Sequence, residues 1–277
     1  MRIAILPNLK KDGAEDVSRK IIGLLKEKAY KAAVHKSIAE IFPEAEAEPD
    51  HDQLAKNCDI IITVGGDGTI IHAAKHAVKY NIPILGVNLG RVGYLAGIEP
   101  EDLQLIPEVI DGNNVEEYRM LLSVKTKGKE YFALNEGVIS GELSRILDYE
   151  ISVNNTKGYL YRADGLIVAT PTGSTAYSLS AGGPVVDPDM KCITFTPICP
   201  YSLFNRSVVC GGKSEVTVKI LPGESGKVLL TLDGETVLPL NENDELKFSV
   251  SEKSVKLLRY GDSSFFDTLN KKLISLK

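Results

Sequence analysis

The chain of 277 residues has 32 basic and 37 acidic residues, a formal net charge of -5, and 43% hydrophobic residues. This composition is typical of a globular protein of one or two domains whose core needs no disulfides, and none of its four cysteines forms a CxxC pair. The mildly acidic balance excludes a general attraction to nucleic acid or anionic membranes. No apolar run approaches membrane-spanning length, and the N-terminus turns polar too early for a signal peptide, so we expect a cytoplasmic protein without nucleic-acid or membrane partners.

The first third of the sequence alternates strand and helix patterns. The predicted elements are a strand at 2–6, a helix at 17–25, a strand at 59–64, a helix at 70–78, a strand at 83–87 and a helix at 101–110. The β-branched run 59–64 is continuous, which is typical of a strand covered on both faces in a parallel sheet. The strand, helix and strand that follow each other there predict a right-handed crossover unit. Residues 30–50 fit strand, helix or loop.

From residue 116 onward the sequence changes to short β-like runs separated by turn residues. The runs are 121–126, 151–153, 166–169, 216–220, 228–232 and 246–250. This spacing predicts a mainly antiparallel β-sandwich. We therefore predict a protein of the α/β plus all-β class, with a three-layer α/β domain over 1–112 that contains a parallel sheet and a glycine-rich loop, and a β-sandwich domain over 113–259. The helical segment within 260–277 is expected to pack back on the first domain.

Three glycines and an aspartate directly follow the predicted strand 59–64, in the order Gly65-Gly66-Asp67-Gly68-Thr69. Glycines let a phosphate approach backbone N–H groups, and the next helix presents its positive N-terminal end at the same place. We therefore predict that Gly65, Gly66, Gly68 and Thr69 bind phosphate. A carboxylate beside a phosphate is repelled unless it holds a metal ion or accepts a proton, and both roles fit phosphoryl transfer. The alternative is a tight turn whose Asp67 caps the helix.

The second motif is a strand that runs into a loop of small and hydroxyl residues, between Asp164 and Pro184. Six hydroxyl residues lie from Thr172 to Ser180. Small hydroxyl side chains can hydrogen-bond to ribose, phosphate or amide edges without filling a pocket, and Tyr177 offers a flat face to a base or nicotinamide ring. The pattern indicates a loop that binds a polar ligand. The alternative is an ordinary turn-rich loop.

In this order and at this separation, the two motifs resemble those of the NAD kinase family. Residues 86–95, which read Gly-Val-Asn-Leu-Gly-Arg-Val-Gly-Tyr-Leu, and the triplet Leu134-Asn135-Glu136 also match the family's pattern. The likeness extends from about residue 59 onward, whereas residues 1–50 and 220–260 carry little of it. The glycine-rich motif alone is less specific, because diacylglycerol-type lipid kinases and phosphofructokinases have similar loops.

The resemblance implies a reaction and a set of site residues. Family members use ATP with Mg²⁺ and transfer its γ-phosphate to the 2′-hydroxyl of the adenosine ribose of NAD. Asp67 would be the general base, and Asn135 with Glu136 would hold the adenosine part of NAD. Asp164, with Arg162 nearby, would contact the nicotinamide end. The implied NAD-binding set is Asp67, Gly68, His72, Asn135, Glu136, Arg162, Asp164, Thr172, Thr175, Ala176, Tyr177, Ser178, Leu179 and Ser180.

Several of these assignments have alternatives. His72 stands where the family often has a basic residue, but the position fits a surface or interface histidine equally well. Arg162 also fits a solvated strand residue, and Asn135 with Glu136 fits a polar strand end. Glu235 occupies a position that is often Gln in the family. No residue is assigned as a metal ligand, and which carboxylate meets Mg²⁺ stays open.

The resemblance also implies a homodimer or homotetramer, in which a neighbouring subunit can contribute to one site. The expected partners are the small-molecule substrates NAD and ATP. Three other functions remain open: a lipid kinase of the diacylglycerol type, a dinucleotide sensor without catalysis, and an NAD-dependent dehydrogenase. The hydroxyl-rich second loop suits a polar ligand better than acyl chains, and the lack of a GxGxxG sequence counts against the dehydrogenase.

Overall fold

The computed structural model describes residues 1–90, 93–142, 145–201, 206–223, 226–261 and 264–275. The chain forms two compact units. An α/β unit comprises Met1–Tyr118 and Val255–Lys277, and a β-sandwich unit comprises Arg119–Ser254. Arg91 and Val92, which belong to the motif at 86–95, lie outside the described residues. None of the described helices is both long enough and apolar enough to cross a membrane.

The N-terminal part of the α/β unit alternates strands and helices, as the sequence predicts. Its elements are β1 (Arg2–Pro7), α1 (Ala14–Glu27), β2 (Lys31–His35), a 3-10 helix (Lys36–Ile38), β3 (Glu46–Glu48), α2 (His51–Lys56), β4 (Ile60–Gly65), α3 (Asp67–Tyr80), β5 (Ile84–Asn88), a 3-10 helix (Pro100–Leu105) and α4 (Ile106–Ile110). Helix α1 shows how the local sequence specifies a helix. It begins after Gly13 at φ 78°, and its buried residues Val17, Ile21 and Leu25 recur one turn apart.

The remainder of the chain is mostly β-structure. Its elements are β6 (Val115–Thr126), β7 (Lys129–Ala133), β8 (Glu136–Gly141), β9 (Leu147–Val153), β10 (Tyr159–Ala163), β11 (Gly165–Ala169), a 3-10 helix (Thr172–Thr175), α5 (Tyr177–Ser180), β12 (Cys192–Ile198), β13 (Val208–Gly211), β14 (Val216–Ile220), β15 (Val228–Leu232), β16 (Thr236–Leu240), β17 (Glu245–Arg259) and α6 (Phe265–Ser275). Strands β6 and β17 contribute residues to both units, because the boundaries of the units fall within them.

The α/β unit has a parallel sheet with helices on both faces. The strand order is β3-β2-β1-β4-β5, followed by the end of β17, and every pair is parallel. On one face, Ile60, Ile62 and Val64 of β4 join a core with residues of α1 and α4. Helix α3 packs on β4 and β5, where Gly86 lies against Ile70. The predicted three-layer α/β architecture is confirmed.

The β-sandwich unit contains two sheets of antiparallel strand pairs. One sheet has the order β10-β9-β14 and the start of β17, together with the pair β6-β7; the other has the order β13-β12-β11-β8-β15-β16. Inward and outward side chains alternate, as in β14, where Val216, Val218 and Ile220 are buried. A single apolar core includes residues of both sheets, among them Tyr149 and Leu166. The predicted sandwich is therefore confirmed.

In one region the structure differs from the sequence-based prediction, and in another it decides between the alternatives that the sequence left open. The single helix predicted at 101–110 is wrong. A 3-10 helix and α4 occupy this region, with a non-helical Asp102 inside the first and Pro107 at the start of the second. Proline cannot donate to the preceding turn, so it begins a new helix more readily than it continues one. The ambiguous residues 30–50 form β2, a 3-10 helix and β3.

Candidate functional site

The glycine-rich motif lies at the carboxyl edge of the parallel sheet. Neighbouring strands β1, β4 and β5 run in the same direction, so the loops that follow them lie side by side. Two backbone hydrogen bonds join these loops to the sheet. The N–H of Asn8 donates to the carbonyl of Val64 at 2.9 Å, and the N–H of Leu89 donates to the carbonyl of Gly65 at 2.6 Å. This edge is where open α/β sheets bind ligands.

Asp67 is the first residue of α3, and its carboxylate is held by another loop. Oδ2 accepts the N–H of Tyr94 at 2.9 Å, and Oδ1 accepts the N–H of Leu95 at 3.2 Å. The Asp67 carboxylate can lie this close to the loop only because residue 93 is a glycine, since a Cβ on Gly93 would stand 2.5 Å from Asp67 Oδ1. The residue that precedes the helix is Gly66, which has no capping side chain. The helix-cap alternative therefore does not describe Asp67.

Because the glycines of the motif have no side chains, other groups can lie close to their backbone. A Cβ on Gly65 would lie 2.2 Å from Thr69 Oγ1, and a Cβ on Gly66 would lie 3.0 Å from Lys11 Nζ. Gly68 is exposed and has open space around its Cα. The N-terminus of α3, a helix of 14 residues, thus meets solvent without a covering side chain from this motif. Helix N-termini of this kind attract phosphate.

Asn88, at the end of β5, is a buried polar residue that the sequence analysis did not single out. Only 2% of it is exposed, and its Nδ2 donates to Glu99 Oε2 at 3.0 Å. Its Oδ1 is buried without a hydrogen-bond partner among the described residues. A Cβ on Gly93 would stand 3.7 Å from this oxygen, and both residues line a cavity of about 380 Å³ in the α/β unit. This oxygen can therefore accept a hydrogen bond from, or coordinate, a group bound in the cavity.

His72 belongs to a group formed by all four histidines of the chain. Its ring lies 5.3 Å from that of His51 and 5.5 Å from that of His76, and His51 stacks on His35 at 4.6 Å. Burial, together with the charges of the other three histidines, lowers the pKa of His51 to about 4. His76 Nδ1 pairs with Asp52 Oδ1 at 2.5 Å. The ring of His72 thus lies beside two other histidine rings, and its contact with NAD stays a prediction.

In the β-sandwich unit, the segment from Leu134 to Glu136 is organised by a residue that the sequence analysis missed. The carboxylate of Asp233 accepts the N–H groups of Leu134, Asn135 and Glu136 at 2.8, 2.8 and 3.2 Å. Asp233 has φ 50° and Gly234 has φ 70°, in the hairpin turn between β15 and β16. The Asp-Gly pair is a turn signal in the sequence, but nothing local indicates which amides the aspartate binds.

Glu136 is a carboxylate in a poorly solvated place. Only 7% of it is exposed. Burial, together with the charge of Asp233, raises its pKa to about 7, against the opposing effect of a hydrogen bond from the backbone N–H of Tyr177. Its Oε2 has no hydrogen-bond partner within the described parts of the chain. Near neutral pH, Glu136 can therefore donate or accept a hydrogen bond.

The hydroxyl-rich loop packs on the Asn135 segment. Thr170 Oγ1 donates to the carbonyl of Leu134 and accepts the N–H of Gly173. A Cβ on Gly173 would lie 2.1 Å from the carbonyl oxygen of Asn135, so only glycine allows this contact. The loop members differ in exposure. Buried are Thr172 and Ser178, half-buried are Thr175 and Ala176, and exposed are Tyr177, Leu179 and Ser180. The Oγ of Ser178 pairs with Thr196 Oγ1 at 3.3 Å.

Arg162 and Asp164 lie at the opposite end of β11 from this loop. Strand β11 pairs with β8 so that Ala169 is opposite Glu136, and Gly165 is four residues away. At about 3.3 Å per residue, the two ends of β11 are separated by about 13 Å. Arg162 is exposed, and its Nε is 3.7 Å from Asp148 Oδ1. The predicted NAD-binding residues of the β-sandwich unit thus form two groups.

These features define a class of protein. The parallel α/β unit has glycines and a held carboxylate at the carboxyl edge of its sheet. The β-sandwich unit of the same chain has a buried carboxyl group and a hydroxyl-rich loop. Such features are typical of a phosphotransferase that acts on nucleotides.

Comparison with known proteins gives the family. Residues 3–113 match the model of the ATP-NAD kinase N-terminal domain, and residues 134–260 match that of the ATP-NAD kinase C-terminal domain. The chain belongs to the ATP-NAD kinase family. The NAD kinases of Treponema denticola and Natranaerobius thermophilus are 34% and 36% identical to it, each over 98% of this chain and over 95% and 97% of the relative.

Solved structures agree. Yeast NADH kinase complexed with NADH has a TM-score of 0.86 and 25% identity over 99% of this chain and 87% of its own. An NAD kinase from Archaeoglobus fulgidus in complex with ATP has a TM-score of 0.79 and 26% identity over 99% of both chains. The matched range corrects one expectation, because the family models include residues 3–50 and 220–260, where the sequence analysis found little likeness.

Proposed function

We propose that this chain is an enzyme that transfers the γ-phosphate of ATP to the 2′-hydroxyl of the adenosine ribose of NAD, with Asp67 as the general base. The observation that carries the proposal is the fixed position of the Asp67 carboxylate beside the bare glycines at the sheet edge. Two backbone N–H groups hold it, which leaves lone pairs for a substrate hydroxyl. Membership of the ATP-NAD kinase family supports the choice of substrates.

The two units have separate tasks in this proposal. Phosphate meets the N-terminus of α3 at the glycine-rich motif, and Asp67 accepts the proton as the ribose oxygen attacks the γ-phosphorus in line. In the β-sandwich unit, Asn135 and Glu136 hold the adenosine part of NAD, and the loop at 172–180 lines the nucleotide pocket. The backbone of the Asn135 segment is held by Asp233, which accepts three of its N–H groups. Arg162 and Asp164 contact the nicotinamide end.

Mg²⁺ is expected to accompany ATP. No group of three or more His, Cys, Asp or Glu residues within the described chain could hold a metal ion on its own. That suits Mg²⁺, which keeps several waters and needs only one or two protein oxygens besides the phosphates. The unpaired Oδ1 of Asn88, near the Asp67 carboxylate, is a suitable hard oxygen ligand. When bound, Mg²⁺ would offset the charge of the triphosphate.

We also propose that the chain forms a homodimer or homotetramer. An apolar groove of about 580 Å³ on the β-sandwich unit supports this, because its lining includes Tyr159 and Leu160, which are 73% and 74% exposed. Mass measurement in solution by light scattering tests it, and a monomer at micromolar concentration would contradict it.

One assay tests the proposed reaction. The protein is incubated with ATP labelled at the γ-phosphate and Mg²⁺, in separate reactions with NAD, NADH or diacylglycerol vesicles. We expect label in NADP, with the new phosphate at the 2′ position by phosphorus NMR. Label in the lipid would support the lipid kinase, and NAD binding without any transfer would support a sensor. Either result would contradict the proposal.

A further inference from the structure

The loop between β1 and α1 carries a lysine that the sequence analysis did not assign. Lys11 extends over the carboxyl edge of the sheet, and its Nζ donates to the backbone carbonyl of Leu89. A Cβ on Gly66 would lie 3.0 Å from this Nζ, and a Cβ on Gly90 would lie 3.3 Å from it. The ammonium group therefore lies against two loops at positions where neither loop has a side chain.

Hydrogen bonds within the protein hold the backbone around Lys11. Its N–H donates to the carbonyl of Asn8 at 2.9 Å, and its carbonyl accepts the N–H of Ala14 at 3.2 Å. Asn8 Oδ1 accepts the N–H of Lys10 at 3.2 Å, and the N–H of Asn8 donates to Val64 of β4. The turn is thereby attached to the strand that leads into the glycine-rich motif. An ammonium group positioned by such a turn loses less freedom on binding an anion.

The charge of Lys11 has no carboxylate partner among the described residues, and its hydrogen bond to the Leu89 carbonyl uses one of its three donors. It stands beside the first turn of α3, whose N-terminal end also attracts anions. The chain as a whole is acidic, with a formal net charge of -5. A cation that has no carboxylate partner in the described chain and stands beside a helix N-terminus indicates an anionic ligand there.

We propose that Lys11 binds the terminal phosphates of the phosphoryl donor and is a donor-binding residue of this enzyme. The inference rests on the proposed function. The donor is favoured over the pyrophosphate of NAD for a specific reason. The Lys11 ammonium lies beside Gly66, next to the proposed base Asp67, whereas the residues assigned to NAD besides Asp67, Gly68 and His72 all belong to the β-sandwich unit. The γ-phosphate must come in line with the hydroxyl that Asp67 deprotonates.

Steady-state kinetics of Lys11→Ala test the proposal, with Lys10→Ala as the matched control. Lys10 is exposed and belongs to the same turn, so its removal changes the net charge equally. Losing a charge-assisted hydrogen bond to phosphate should raise KM for ATP roughly 10- to 100-fold in Lys11→Ala. KM for NAD should stay within about twofold. Lys11→Arg should recover part of the ATP affinity, because it restores the charge but not the shape.

A binding measurement without catalysis provides the second readout. Calorimetry with inorganic tripolyphosphate, in the absence of NAD, should show binding to the wild-type protein and to Lys10→Ala. Lys11→Ala should bind it about tenfold or more weakly, and the difference should shrink as salt increases. Thermal unfolding of each variant checks the fold, and Lys11→Met replaces Lys11→Ala if the alanine variant does not fold.

The outcomes separate the two proposals. Unchanged KM for ATP in a folded Lys11→Ala variant overturns the role of Lys11, and a rise in KM for NAD alone assigns Lys11 to the NAD pyrophosphate and also overturns it. In both cases a wild-type enzyme that makes NADP leaves the proposed function intact. If the wild type makes no NADP while tripolyphosphate binding still depends on Lys11, the proposed reaction fails and the phosphate site remains.

Discussion

Two carboxyl groups, one in each unit, are held in contrasting ways. Asp67 is partly exposed at the start of α3, and backbone N–H groups of Tyr94 and Leu95 fix both of its oxygens. Glu136 is 7% exposed, accepts one backbone N–H and faces the charge of Asp233. The surroundings of a carboxyl group decide what it can do chemically. In the proposed function the first is oriented to receive a proton, whereas burial raises the pKa of the second to about 7.

The largest expected effect comes from removing the proposed base. Asp67→Asn keeps the size of the side chain and one acceptor oxygen, but it cannot accept the proton. We expect turnover to fall roughly 10²- to 10⁴-fold while NAD affinity largely survives. Single-turnover kinetics and equilibrium NAD binding measure the two quantities. Asp16→Asn, an exposed acidic residue of α1, is the charge-matched control, and near-normal turnover in Asp67→Asn would remove Asp67 from the role of base.

The second-largest expected effect tests whether the orientation of the Asp67 carboxylate matters for turnover. Gly93→Ala would place a Cβ 2.5 Å from Asp67 Oδ1, so the carboxylate must move. A displacement on this scale should lower turnover by about 10²-fold with the fold retained. Gly23→Ala is the control, because its Cβ would meet no atom within 4 Å. Equal turnover in the two variants would show that the contact of Gly93 with Asp67 does not position the base.

A third prediction concerns the buried carboxyl and the pH dependence of stability. The pKa of Glu136 is about 7 in the folded protein against 4.5 for the ordinary group, so the folded state retains a proton that the unfolded chain has lost. Stability from this group is complete below pH 4.5 and is lost as pH rises towards 7 and above. Glu136→Gln, which keeps an acceptor for the N–H of Tyr177, should exceed the wild type in stability at pH 8 by at most about 3 kcal/mol.

Urea unfolding at pH 4.5 and pH 8 measures this difference, which should nearly vanish at the lower pH. Glu242→Gln, at an exposed turn position, controls for the loss of one negative charge. A wild type as stable as Glu136→Gln at pH 8 would mean that Glu136 is not desolvated in solution.

The smallest effect is expected at the histidine group. Burial, with the charges of His35, His72 and His76, lowers the pKa of His51 from 6.5 to about 4, and Asp50 acts in the opposite direction. The unfolded chain therefore binds this proton first, and stability that is complete above pH 6.5 is lost as pH falls towards 4. His51→Gln should lose less thermal stability between pH 7 and pH 5 than the wild type. Parallel losses would contradict the assignment.

Much of the fold follows from the sequence, because its signals are local. Strand β4 has six buried residues in a row and could be predicted from its continuous apolar run. Strand β8 was not predicted, since its pattern is interrupted by the buried Glu136 and by Gly137, where a Cβ would stand 3.1 Å from the Phe248 ring. Short β3, with the sequence Glu-Ala-Glu, carries almost no strand signal.

The candidate site could be predicted only in part, because several of its contacts join residues that are distant in sequence. The motif around Asp67 could be recognised from consecutive residues. Its partners Tyr94 and Leu95, and the Asp233 that holds the Asn135 segment, are distant in sequence, and no periodicity links them. The unassigned Lys11 had no motif at all, because only the register of parallel strands brings its loop to the glycines. Residue types fix what chemistry is available, and topology decides which groups meet.

The most direct measurement is a structure of the protein with NAD and a non-hydrolysable ATP analogue bound. It gives the distance from the Asp67 carboxylate to the 2′-oxygen of the adenosine ribose. We expect about 2.6–3.2 Å between the carboxylate oxygen and the 2′-oxygen, or one water that bridges them. A 2′-oxygen beyond that reach, with the γ-phosphate in place and no water between, would contradict Asp67 as the base.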